Sequence, residues 1–166
     1  MRRSIDSATV VTFMLLLSAG NAAAQQMKPT VAQIHAQAVA LQEDQSQLVP
    51  AARLYLREAV LRGDDDPQSV KCLTVAAHLL FYGGRRADGR RVMEQAAAAA
   101  LAVGDIQVAA RTYMLAAWMA QADGKAADTR RLAQEAQMLA GSPLLAGADR
   151  AAIMEWVNGV ATISLR

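Results

Sequence analysis

One stretch is written twice in this chain. "GRRADGRRVMEQA" runs from Gly84 to Ala96, and "GKAADTRRLAQEA" runs from Gly124 to Ala136, forty residues on. In this register Leu73 lies over Tyr113, Ala76 over Ala116, Ala77 over Ala117 and Leu80 over Ala120. Further on, Gly89 lies over Thr129, Val92 over Leu132 and Ala96 over Ala136. A weaker copy precedes them, with Gln47 for the turn glycine, Ala40 for Ala77, Ala52 for Gly89, Leu56 for Met93 and Ala59 for Ala96. A repeat of this length means a supersecondary unit that buries its apolar face only by stacking on copies of itself.

The unit is helical. The chain is 54% hydrophobic but only 4% aromatic, and the excess is alanine. Alanine loses no side-chain entropy in a helix and leaves little bulk between helix backbones. Apolar residues recur at i, i+3, i+4 and i+7 between regular breaks. This predicts seven helices, at about 29–43, 48–62, 67–82, 87–103, 106–121, 126–140 and 149–160. Asp66 is placed to cap the third, with Pro67 at its first position, where no N–H is needed. Gly104 is expected to close the fourth in the left-handed conformation, and Asp105 to cap the fifth. Asp88 and Asp128 stand three residues before Arg91 and Arg131, a spacing for local ion pairs. In the last helix Ile153, Trp156, Val157 and Val160 should face inward as a cap on the array, with "TISLR" frayed beyond it.

Residues 1–24 read as a secretory signal peptide. Two arginines precede an apolar run, "ATVVTFMLLLSAG", and Ala22 and Ala24 are set for cleavage before Gln25. Its removal takes Arg2, Arg3 and Asp6, so the formal charge falls from +2 to +1. A near-neutral chain gives no support for nucleic-acid binding or a broad membrane-surface role. The expected location is therefore exported, periplasmic or secreted, with a retained N-terminal anchor as the rival. Cys72, the single cysteine, has no internal partner and sits among apolar neighbours, so burial is expected.

The pattern of small and large residues resembles the tetratricopeptide repeat family. The resemblance spans about Val31 to Ala140. Ala77 and Ala117 match the small position of the first helix. Gly89, Thr129 and Ala52 match the early small position of the second, and Ala96, Ala136 and Ala59 the late one. The spacing exceeds the family's roughly 34 residues. Leu73 and Tyr113 stand where the consensus has tryptophan, and the proline that often closes a repeat is missing or displaced. A generic array of helical hairpins meets the same pattern. The resemblance implies an all-α, right-handed superhelix of about three hairpins, at about 30–64, 66–104 and 105–143, plus the capping helix.

It also implies a concave groove lined by the first helix of each hairpin. Those positions are Ile34, Gln37, Leu41 and Asp44; then Lys71, Thr74, His78 and Phe81; then Arg111, Met114, Trp118 and Gln121. The last two sets each follow i, i+3, i+7, i+10, one stripe of a helix. The stripe suits a protein or peptide partner with an acidic group beside an apolar side chain. Trp118 reads equally as core, since "TYMLAAWMAQA" is apolar nearly all round. No nucleophile elbow, phosphate loop or metal-ligand spacing is present, and His35 and His78 stand apart in the sequence. Neither catalysis nor a cofactor is expected. Asp64–Asp66 lacks the Gly-punctuated loop of a calcium site. The basic cluster Arg85, Arg86, Arg90 and Arg91 could suggest an anionic partner, but Arg90 and Arg91 and their repeat equivalents Arg130 and Arg131 are placed on the outer convex face, beside Asp88, Asp128, Glu94 and Glu135. Self-association through exposed apolar surface is the alternative to a binding scaffold.

Overall fold

The computed structural model describes residues 28–163; the expected signal peptide and the end of "TISLR" lie outside the described residues. The described residues form seven α-helices and no strand: α1 Val31–Gln42, α2 Leu48–Arg62, α3 Pro67–Tyr82, α4 Arg86–Ala102, α5 Ile106–Ala122, α6 Ala126–Ala140 and α7 Gly147–Ile163. A short 3-10 turn, Gln45–Gln47, joins α1 to α2. Each helix packs on its neighbours in sequence, and α7 also touches α5. No described helix is long and apolar enough to cross a membrane.

Three turns in the middle of the array are the same turn. Gly84, Gly104 and Gly124 lie twenty residues apart, with φ of +83°, +78° and +69°. In each, the following N–H reaches back to a carbonyl five residues earlier: Arg85 to Leu80 at 2.8 Å, Asp105 to Ala100 at 2.9 Å and Lys125 to Ala120 at 2.8 Å. The glycine N–H bonds the next carbonyl along, that of Phe81, Leu101 or Gln121. This paired closure needs a left-handed residue, which glycine supplies without steric cost. Two antiparallel hairpins and the step between them are thus built from one device, and the period of forty is twice twenty. Asp66 and Asp105 cap α3 and α5 as expected, accepting from Gln68 N–H at 2.8 Å and Val108 N–H at 3.0 Å.

The close crossing sits where the small residues put it. A Cβ on Gly89 would lie 2.7 Å from the Ala77 carbonyl oxygen and 2.8 Å from the Phe81 nitrogen. The α4 backbone therefore rests directly on that of α3. Ala96 and Ala136 are fully buried, and Val92, Met93 and Leu132 fill the space beside them. Thr129, in Gly89's place in the next hairpin, is buried with its hydroxyl donating to the Lys125 carbonyl at 3.0 Å. Burial repeats with the sequence: Ala76, Ala77 and Leu80 are buried, as are Ala116, Ala117 and Ala120.

The first hairpin departs from the expected register. Ala40 is exposed, and Ala38 is the buried small residue of α1. The 3-10 turn replaces the glycine closure, so α1 enters at a shifted position. Ile34 falls into the core, fully buried, and Asp44 caps the 3-10 turn by accepting from Ser46 N–H. α7 begins at Gly147, two residues earlier than expected, which leaves Asp149 in its first turn. Ile153 and Val157 are buried as a cap requires. The Val160 side chain lies outside the described residues.

Candidate functional site

The α3 and α5 stripes come together only in part. His78, Met114 and Trp118 line an open cavity of about 280 Å³, joined by Tyr82, Leu115 and Trp156. Phe81, expected as a lining residue, is instead buried behind the wall, at 6% exposure. Its ring centroid lies 5.5 Å from that of Trp118 and 5.7 Å from that of Tyr82, the latter edge-on. One buried ring thus props two walls of the cavity, and the Arg86 guanidinium lies 5.6 Å over that ring.

His78 is oriented by its own helix. Its Nδ1 lies 3.0 Å from the Thr74 carbonyl oxygen. A carbonyl only accepts, so Nδ1 carries the hydrogen and the neutral ring keeps Nε2 as an acceptor. Thr74 Oγ1 turns back to the Val70 carbonyl at 2.8 Å, so its hydroxyl serves the helix. Lys71 is exposed two turns before His78, and Gln121 is half-buried at the end of α5. Gln37 is exposed and Leu41 half-buried on α1.

Arg111, with its side chain 55% exposed, is already paired. It bonds Asp149 at the start of α7, and Gln107 bonds the same carboxylate. α7 thus pairs with the cation expected to face a ligand. Trp156, set on the inward side of that helix by its periodicity, becomes a cavity wall. Tyr82 and Leu115 were the other residues missed. Tyr82 is four residues after His78, so it shares that face; its place beside the Gly83–Gly84 turn hid it.

The basic cluster also differs from expectation. Arg90 is not on an open convex face: its side chain is 16% exposed, 3.2 Å from Asp128 and 3.6 Å from Asp123. It joins α4 to the α5–α6 turn and to α6. Arg131 adds a second link, to Glu94 at 2.9 Å. The local pairs Asp88–Arg91 and Asp128–Arg131 form at 3.2 Å and 4.0 Å.

A second polar cluster was not legible beforehand. Glu58 of α2 is fully buried, yet it accepts from Arg62 Nε at 2.9 Å and meets His35 Nδ1 at 2.9 Å. Arg62 also reaches Asp66, the cap of α3, at 3.3 Å. Burial pushes the Glu58 carboxyl up, but the hydrogen bonds from His35 and Arg62 outweigh it and hold the group below its ordinary value. Tyr55 packs edge-on against His35 and donates to Gln42 at 3.0 Å. Cys72 is buried, and burial together with the Glu58 carboxylate pushes its thiol up to about 11. A thiol held protonated this way is a poor nucleophile. The cluster ties α1, α2 and α3 together. Among the described residues no three His, Cys, Asp or Glu side chains gather where they could hold a metal ion.

No protein-family model, no curated protein and no solved structure matches this chain.

Proposed function

We propose that the protein is a non-catalytic scaffold or adaptor that binds a peptide or protein partner, in an exported, periplasmic or secreted setting. Its architecture is read as a tetratricopeptide-like superhelix whose first helices face the ligand. The observation that carries this reading is the open aromatic cavity between α3, α5 and α7. Three aromatic walls, two apolar side chains and one oriented histidine suit an anchor side chain. The inert setting of Cys72 and the structural use of Glu58 and His35 fit a role without chemistry.

The test is a library of random twelve-residue peptides selected on the immobilised full chain. Selected peptides should lose about tenfold or more in affinity on Tyr82→Ala or Trp156→Ala, as truncation of an anchor wall does. Peptides that bind both variants as tightly as the wild type would move the function elsewhere.

Self-association is the second reading. It rests on Val60 and Leu144, which are 81% and 79% exposed. Light scattering on the purified chain decides it, since a monomer at all concentrations removes it.

A further inference from the structure

We infer that the cavity recognises one tyrosine side chain of a partner, with an acidic residue about three positions away along an extended peptide. The inference rests on the peptide-binding reading above. A cavity of about 280 Å³ is at the bottom of the range for small-molecule sites, so it takes a single large side chain rather than a folded segment. Its walls include Tyr82, Trp118 and Trp156, and ring-on-ring packing favours an aromatic guest over an aliphatic one. The buried Phe81 ring packs against Trp118, which reduces the ordering that a guest must impose on that wall.

The hydrogen-bonding group is His78. With Nδ1 committed to the Thr74 carbonyl, Nε2 is the ring's remaining nitrogen and accepts in the neutral form. A phenol hydroxyl donates to such an atom, and a phenylalanine or leucine cannot. The charge requirement comes from the two helices that supply most of the lining. Neither α3 nor α5 contains an Asp or Glu. Their cations are Lys71 and Arg111, and Asp149 takes up Arg111. Lys71 is left, exposed, seven residues before His78 on the same face. Seven helical residues rise about 10 Å. Three extended peptide residues span the same distance, at about 3.3 Å each. A carboxylate at that spacing from the tyrosine meets Lys71.

Both tryptophans of the chain, Trp118 and Trp156, line this cavity. Tryptophan emission therefore reports on the site. The probes are blocked peptides Ac-Glu-Ala-Ala-Tyr-Ala-NH2 and its reverse, Ac-Ala-Tyr-Ala-Ala-Glu-NH2, with Phe, Leu and Gln replacements, titrated into the full chain. One of the two directions should shift the emission saturably. It should bind about fivefold tighter than its Phe form, the worth of one hydrogen bond, and tighter still than its Leu form. Replacing Glu by Gln should weaken it, and Lys71→Ala should remove that difference. His78→Ala should abolish the Tyr-over-Phe preference. The peptide comparison on the wild type stands even if that variant fails to fold. Equal binding of the Tyr, Phe and Leu forms, or no saturable shift with either direction, overturns the inference. If the random library still yields cavity binders without tyrosine, the scaffold reading survives and this one alone falls.

Discussion

Phe81 and Trp118 meet with ring centroids 5.5 Å apart, one ring buried and the other at the cavity surface. The pair joins the core of the second hairpin to the candidate binding wall of the third. Residues 37 apart in sequence thus make the cavity's shape a consequence of repeat stacking. Phe81→Leu keeps an apolar side chain in the core but withdraws the support of both Tyr82 and Trp118. We expect a loss of about 1 kcal/mol of stability and a clear change in tryptophan emission. Unchanged emission would show that Trp118 is held by something else.

Gly89→Ala separates helix propensity from packing. In an open helix the change gains about 1 kcal/mol. Here the new methyl would lie 2.7 Å from the Ala77 carbonyl, against rigid backbone. The variant should be less stable by about 1–3 kcal/mol, the usual cost of overpacking. Urea unfolding measures the sign directly. Ala136→Leu, at the late crossing of the next hairpin, should lose a similar amount.

The Glu58 cluster predicts an acid limb to stability. The folded carboxyl binds its proton less tightly than the unfolded one, whose value is near 4.5. Its contribution is fully present above that pH and is lost as pH falls through the lower folded value. Glu58→Gln should flatten this part of the stability profile. Arg62→Met should cost more at pH 7, because it leaves a buried carboxylate with His35 alone. A smaller loss for Arg62→Met than for Glu58→Gln would show that His35 alone satisfies the carboxylate.

Cys72 should be silent in the folded state. Its thiol is buried and shifted from 9.0 to about 11, so at pH 8 a thiol reagent should react only at the rate of unfolding. Above pH 9 the unfolded thiol ionises before the folded one, and stability should decline as pH rises toward 11. Fast labelling under native conditions would place Cys72 at the surface.

Much of the array was legible because its signals are local. Helix spans follow from apolar periodicity, Asp66 and Asp105 from capping chemistry, and the Gly89–Ala77 crossing from the forty-residue register. What escaped was set by contacts between distant segments. Asp149 takes Arg111 across 38 residues, and Trp156 reaches a cavity that its own helix does not suggest. The buried Glu58 lies in "RLYLREAVLR", where its neighbours read as a solvated face. Only the approach of α1 and α3 explains its burial. The first-hairpin register failed because a 3-10 turn, which has no glycine signature, offset α1.

The central claim is that binding takes place in the cavity walled by Trp118 and Trp156. Titration of the full chain with the strongest library peptide, followed by tryptophan emission, tests it most directly. A saturable emission change should appear, with a midpoint equal to the affinity measured independently by calorimetry. Calorimetric binding with no change in emission would contradict it.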